Sequence, residues 1–499
     1  MRQRFEELLC RLGAISDLGK AAALLAWDAE TKMPPAGAEA RAEQRATLTR
    51  IAHELQVAPE LGALLEELRP FEEAHEHDSF EASVIRVARR DYEKAVRVPP
   101  ELRAELTRTA AQGYHAWLEA REERDYGVLL PRLERGLELL RRYAACFEPD
   151  DPYDALLDDY EPGMKAAEVE AVLERLKAEL PPLIAAVPGP VDDSCLRRRY
   201  PPEDQRRFAL AVLERWGMDA QAWRLDDTVH PFATSLAPGD IRLTTNLHEE
   251  GLSGVLSCLH EFGHGLYERQ VDPAYARTPL ADGASSAFHE SQSRLWENLV
   301  GRNLATWRFL YPELREAFPE QLGDVPLETF HRALNTVEPT MRRVDADEVT
   351  YTLHVILRFE LERALLAGTL APRDLPEAFD AKMREYLGLE PADPVEGVLQ
   401  DVHWSELLFG YFPTYALGNV ISVQLWERAA ADLGDLDRQL ERGEFAPLRE
   451  WLREHVHRFG RALTPQQLLE RAVGGPLDPE PYLAYLRRKL EQVYGTPVT

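Results

Sequence analysis

Residues 260 to 264 read His260-Glu261-Phe262-Gly263-His264, two imidazoles four apart with a carboxylate directly after the first. On a helix, positions i and i+4 stand one above the other, so both rings can reach one Zn²⁺ at about 2.0–2.1 Å. Glu261 is turned by about 100° from His260. From there its carboxylate can take the proton of a metal-activated water as that water attacks a carbonyl, and then pass it to the leaving amine. The motif sits in a periodic apolar stretch formed by Leu252, Val255, Leu256, Leu259 and Leu266. This composition yields an accidental HExxH in roughly one chain in twenty-five, but two His and a Glu bounded by apolar residues are costly to bury without a ligand. A catalytic zinc needs a third protein ligand and an open position. Asp282, Glu290 and Glu297 are the acidic candidates downstream. Glu290 opens a predicted helix that continues through Leu295, Leu299 and Leu304, with Glu297 on the same face two turns on. Spacing does not choose among them, and a carboxylate there is equally well explained by an ion pair, such as Glu290 with Arg294 at i+4.

The chain that must position this motif reads mostly as helix. Leu130, Leu133, Leu137, Leu140 and Ala144 step by three and four, as do Val169, Val172, Leu176 and Leu180, the pattern of amphipathic helices facing a core. Breaks are expected at Pro34-Pro35, Pro99-Pro100, Pro181-Pro182, Pro188 to Pro190 and Pro201-Pro202. One region departs from helix. Between Trp223 and Asn246, His230-Pro231-Phe232 and Pro238-Gly239 lead into Asp240-Ile241-Arg242-Leu243-Thr244-Thr245, where apolar and polar residues alternate. That predicts a short strand or two just before the HExxH helix. Asn246 and Glu249 have the spacing of a capping box for that helix, with Gly251 and Gly254 placed to delay its start. No internal repeat and no Gly/Ser linker interrupts the text, so residues 1–499 are expected to form a single large, mainly α domain.

Composition narrows the partners. Against 58 Lys and Arg stand 86 Asp and Glu, a formal net charge of −28. A field of that sign repels phosphate backbones and anionic lipid, so neither nucleic acid nor a membrane is an expected partner. The apolar stretch Ala21 to Trp27 is far short of a membrane span, and Arg2, Arg4, Glu6 and Glu7 break any signal-peptide pattern, which makes the cytoplasm the expected location. Cys10, Cys146, Cys195 and Cys258 lie far apart without CxxC spacing and read as reduced, mostly buried thiols.

Further patterned text surrounds the metal motif. HPF stands at His230 to Phe232, DxRxT at Asp240, Arg242 and Thr244, and HES followed by Gln at His289 to Gln292. RxxAD stands at Arg343, Ala346 and Asp347, and GxxQDxHW at Gly397, Gln400, Asp401, His403 and Trp404. Leu25-Ala26-Trp27-Asp28, Met33-Pro34-Pro35 and the run Gly410 to Tyr415 complete the set. In these motifs and their order the chain resembles the carboxypeptidase Taq family, the M32 metallocarboxypeptidases, over nearly its whole length. The resemblance implies His260, His264 and Glu290 as ligands of one divalent metal, Zn²⁺ or Co²⁺, and Glu261 as general base. It also implies an almost wholly helical, saddle-like body with a long substrate groove, a homodimer, and peptide substrates with a free C terminus. In one departure, Arg342 stands where the family usually has Ile or Asn before the Arg of RxxAD, so Arg342 and Arg343 both compete for that position's function.

A carboxypeptidase must hold its substrate's terminal carboxylate, which a planar guanidinium does bidentately. Arg343 is the first candidate and Arg242 the second, the latter weighed against a structural ion pair with Asp240. Tyr411, Tyr415 and His403 qualify by type as donors to a tetrahedral oxyanion, or else as aromatic core. His230 either lines the substrate cleft or is a hydrogen-bonded turn residue, and Gln400 joins the candidate substrate-binding set. Two other functions compete with a metal-dependent exopeptidase. One is a helical zinc oligopeptidase that cleaves internally. The other is a non-catalytic scaffold with a structural metal, against which the intact Glu261 argues, since a structural zinc needs four closed ligands and no base.

Overall fold

The steps of three and four become helices Leu130–Ala145 and Ala166–Ala186, which bury Leu133, Leu137, Leu140 and Ala144 in the first and Val169, Val172, Leu176 and Leu180 in the second. The computed structural model describes residues 1–495 and is mainly α, as expected. Pro100 and Pro202 open helices Pro100–Glu123 and Pro202–Trp216, where a missing N–H is tolerated. Pro181 and Pro182 do not break their helix, which runs on to Ala186. The carbonyls their rings deprive of donors, four residues earlier at Lys177 and Ala178, lie on a partly exposed stretch where water can serve them. No helix among the described residues is long and apolar enough to cross a membrane.

Two compact units divide the chain. The first comprises Met1–Val96, Asp193–Leu334 and Ser422–Leu477. It holds the only sheet among the described residues, of three strands rather than one or two: β1 (Trp223–Asp227), β2 (Ala233–Ala237) and β3 (Asp240–Thr245), in the order β1-β3-β2. β3 pairs parallel with β1 and antiparallel with β2. The HExxH helix, Ser253–Gln270, lies across β2 and β3. It can lie close because Gly265 has no side chain: a Cβ there would strike Trp223, Ile241 and Leu243. The Asn246/Glu249 capping box does not form. Asn246 donates instead to the Val229 carbonyl, Glu249 pairs with Arg199, and the helix starts only after Gly251, whose φ of +86° turns the chain.

The second unit comprises Arg97–Asp192, Asn335–Ile421 and the chain from Asp478 on. Its centre is helix Tyr351–Ala367, buried over most of its surface and packed by Leu130–Ala145, Pro152–Leu157, Ala166–Ala186 and Leu375–Leu387. Helix Pro100–Glu123 approaches the Ser405 backbone so closely at Gly113 that a Cβ would overlap the Ser405 carbonyl. None of the four cysteines is in a disulfide, and only Cys195 and Cys258 are buried.

Candidate metal centre

Both intervening positions of HExxH serve the fold. Phe262 points away from the two His and is fully buried among Trp216, Trp223 and Trp296, with ring centroids 5.2–5.6 Å away. Gly263 faces helix Ser286–Arg294, whose first turn is capped by Ser285 Oγ accepting from the Phe288 N–H at 3.1 Å. A Cβ on Gly263 would collide with the Gln292 carbonyl and the Ser293 Cα. The aromatic cluster thus fixes how the HExxH helix is rotated, and the glycine fixes how near the Glu290 helix comes.

Between the two helices, Glu290 Oε2 lies 3.9 Å from His260 Nε2 and 3.5 Å from His264 Nε2. The three ligand atoms all lie within 4.8 Å of one another, and no other group of three His, Cys, Asp or Glu among the described residues converges this way. The opposite edges of both rings are engaged. His260 Nδ1 donates to Glu297 Oε2 at 2.9 Å. His264 Nδ1 contacts His289 Nδ1 at 2.6 Å, and His289 Nε2 reaches Glu268 Oε1 at 2.8 Å. With a proton on each Nδ1, each Nε2 turns a lone pair towards Glu290, the arrangement in which carboxylate-backed imidazoles hold a metal. Arg294 Nε donates to Glu290 Oε1 at 2.6 Å, leaving Oε2 facing the rings. The ion pair and the ligand position weighed for Glu290 therefore coexist on its two oxygens. Two imidazole nitrogens and one carboxylate oxygen fit a divalent transition metal with a position left open.

Charge inside this buried cluster is balanced by neighbours. Burial pushes the Glu261 carboxyl up to about 7; His260 opposes the shift and Glu290 adds to it. Burial also opposes ionisation of Glu297, but the His260 hydrogen bond and the Arg294 and Arg302 charges outweigh it and hold that carboxyl far below its usual range. His264 is pushed down, first by burial and then by His289 and His260. Asp282, the remaining ligand candidate, stands outside the cluster, accepting from the Gly283 N–H at 2.9 Å with its carboxyl raised by burial and by Glu268. Sequence reasoning weighed Glu297 as a ligand or an ion-paired carboxylate and Arg294 as the ion-pair partner of Glu290, and gave no role to Glu268 or His289. One signal was available: Glu268 follows His264 by four residues on the same helical face. Because Glu297 orients and polarises His260, Glu297→Gln is expected to weaken metal binding by about 10- to 100-fold. Chelator competition checks it, and an unchanged affinity removes Glu297 from the centre.

The anchor candidates are placed unevenly. Arg242 is engaged by Asp240, with contacts of 2.9 and 3.0 Å, and its guanidinium lies 4.4 Å over the Trp27 ring. This is the structural ion pair weighed for DxRxT. Thr244 of the same motif accepts from the Phe232 N–H at 2.7 Å and donates to the Phe232 carbonyl at 2.9 Å, so DxRxT holds HPF in register. His230 is exposed just before β2. In the second unit Arg343 is buried, donating to Asp401 Oδ1 at 2.8 and 3.0 Å and to Tyr351 at 2.8 Å, with its guanidinium 4.9 Å from the Tyr415 ring. Arg358 binds the other Asp401 oxygen at 2.6 Å. Arg342 is exposed and pairs with Asp345 at 2.9 Å. Gln400 accepts from the Arg343 N–H at 3.0 Å and donates to the Met341 and Glu396 carbonyls, a backbone clamp around Arg343. His403 contacts the Tyr415 hydroxyl at 3.3 Å and stacks on Tyr411 at 5.6 Å. Burial pushes its imidazole down to about 4 despite Asp401, so it is neutral at pH 7.

Comparison with known proteins places the chain among metallopeptidases. The family described as carboxypeptidase Taq (M32) metallopeptidase matches residues 7–490. Thermostable carboxypeptidase 1 of Thermus thermophilus is 44% identical over 492 residues, covering 96% of each chain. Carboxypeptidase 1 of Bacillus subtilis is 36% identical over 99% of this chain and 98% of its own. Among solved structures, the M32 carboxypeptidase from Deinococcus radiodurans R1 superposes with a TM-score of 0.96 at 42% identity, over 99% of this chain and 100% of its own.

Proposed function

The chain belongs to the carboxypeptidase Taq (M32) metallopeptidases and is a metallocarboxypeptidase; on that premise we propose that His260, His264 and Glu290 hold one divalent metal per chain, zinc first and cobalt as the alternative, with Glu261 as general base. The observation that carries this reading is the convergence of two Nε2 atoms and Glu290 Oε2 beside the buried Glu261. Held by these three residues, a cation would supply Lewis acidity towards the scissile carbonyl and the attacking water. The Glu261 carboxylate takes the proton of the attacking water and returns it to the departing amine. Glu297, and Glu268 through His289, hold the two rings, while Arg294 fixes Glu290. Arg343 is proposed as the anchor for the substrate's C-terminal carboxylate, with Arg342 and Arg242 as the alternatives. Tyr411, Tyr415 and His403 are the proposed oxyanion donors.

Mass spectrometry of one peptide over time tests direction. The products are expected as a ladder shortening one residue at a time from the C terminus and abolished by a chelator. Amidating that terminus removes a charge-assisted pair and is expected to lower kcat/KM by roughly 30-fold or more, whereas N-acetylation is nearly neutral. Internal fragments appearing first, or equal rates on free and amidated peptide, would establish the oligopeptidase reading. The same proposal makes the protein a cytoplasmic homodimer. Sedimentation at micromolar concentration is expected to give twice the chain mass, and a single-chain species would remove the dimer.

A further inference from the structure

Within the second unit a cavity of about 400 Å³ opens between helices Pro100–Glu123 and Leu130–Ala145 and the segment Glu406 to Phe409. Its volume lies in the range of small-molecule sites, and leucines, Tyr143, Tyr160 and Phe409 give it an apolar wall beside its polar groups. Three charged groups face it: Arg103, Asp159 and Glu406. Asp159 accepts from the Tyr143 hydroxyl at 2.8 Å. Neither Arg103 nor Glu406 makes an ion pair or side-chain hydrogen bond among the described residues, with each other or with anything else, and Arg103 Nε is buried with no acceptor at all.

That combination is costly in a folded protein. A guanidinium N–H withdrawn from water with no acceptor, and a half-buried carboxylate facing no cation, both lose hydration without compensation. Burial alone raises the Glu406 carboxyl, with no cation nearby to oppose it. The backbone beside it is strained as well: Leu407, which also lines the cavity, has φ of +62°, a left-handed conformation that an ordinary side chain rarely adopts. Gly136 accommodates this turn, since a Cβ there would overlap the Leu407 side chain. The cavity lined by Lys20, Asp91, Asp282 and Arg461 in the first unit differs in kind: there Arg461 is held by Asp91 at 2.8 and 3.0 Å, and Lys20 by the Ser235 carbonyl at 2.8 Å.

Two opposite, unpaired charges that share a cavity with one apolar wall, without meeting, are complementary to a small zwitterion with an apolar body. We propose that this cavity binds a free apolar α-amino acid, its carboxylate on the Arg103 fork, its ammonium on Glu406 and its side chain among the leucines and aromatic rings. This is the class of molecule that the chain's hydrolysis releases. The cavity also reaches Tyr160, which packs edge-on to Tyr411 at 5.1 Å. The binding itself does not rest on the assignments at the metal centre.

The test is calorimetric titration of the metal-loaded full chain with L-leucine, N-acetyl-L-leucine and L-leucinamide. Saturable L-leucine binding is expected, weakened about 10-fold or more by Arg103→Gln, by Glu406→Gln, and by capping either charged end of the ligand. Ala110→Leu, which narrows the cavity while leaving both charges in place, is expected to weaken it comparably and serves if a charge variant does not fold. Absence of saturable binding, equal affinity for the capped ligands, or an affinity unmoved by these variants overturns the proposal.

Discussion

Glu261→Gln is expected to keep its metal near one ion per chain while turnover falls by roughly 10²- to 10⁴-fold or more. The amide has the shape of the carboxylate and touches none of the groups that hold His260, His264 or Glu290, but it cannot take a proton. The wild-type carboxyl is suited to that task because burial raises it to about 7, where it can both take and return a proton near neutral pH. His264→Ala and Glu290→Ala are expected to differ, losing metal and activity together. Glu290→Ala also leaves Arg294 without its 2.6 Å partner in a buried site. Metal content measured beside a rate assay separates the two outcomes. A Glu290→Ala protein that keeps full metal moves the third ligand to Glu297 or Asp282, and a Glu261→Gln protein that turns over normally removes the base.

Asp401→Asn is expected to destabilise the full chain by about 3–5 kcal/mol, because Arg343 and Arg358 then share a buried space with no negative charge between them. Burial opposes ionisation of Asp401, but the two guanidinium groups outweigh it and hold the carboxyl far below the usual carboxylate range. A carboxyl depressed in the folded state contributes its full stabilisation above its unfolded value of about 3.9, and that contribution is lost as pH falls below it towards the folded value. Wild type is therefore expected to lose stability below about pH 4 through this group, and Asp401→Asn to lack that component. Urea midpoints at neutral and acidic pH measure both effects. Equal midpoints at neutral pH would contradict the two-cation account.

What the sequence made legible follows physical range. The HExxH residues lie within two turns of one helix, and the apolar steps of Leu130–Ala144 and Val169–Leu180 are local periodicities, so both could be read from spacing. Glu290 and Glu297 could not be told apart because they differ in what faces them across an inter-helix gap. One oxygen of Glu290 meets two Nε2 atoms, whereas Glu297 meets a Nδ1. The motifs beyond HExxH were visible as text, but their work was not. Thr244 of DxRxT clasps Phe232 of HPF, and Asp401 of GxxQDxHW joins Arg343 to Arg358, pairings between residues separated by up to 58 positions. Pro181-Pro182 misled because the carbonyls that this pair orphans, at Lys177 and Ala178, lie on a partly exposed stretch where water can serve them. Three strands formed where one or two were expected, since Ala233–Ala237 lacks the alternation of Asp240–Thr245 and joins the sheet by pairing its backbone with β3.

Gly263 is silent in the chemistry, yet the separation of the two ligand-bearing helices is set where its backbone rests on the Gln292 carbonyl and the Ser293 Cα. Contact between main chains is stiff, unlike a long side chain that can swing to meet an ion. The span between His264 and Glu290 is therefore dictated by packing, and the aromatic cluster around Phe262 prevents the helix from rolling out of that register. A zinc finger borrows its fold from its ion, whereas here burial of Phe262, Trp216 and Trp296 holds the donor-bearing helices, so stripping the metal is expected to cost the native state only the mass-action increment that any ligand confers.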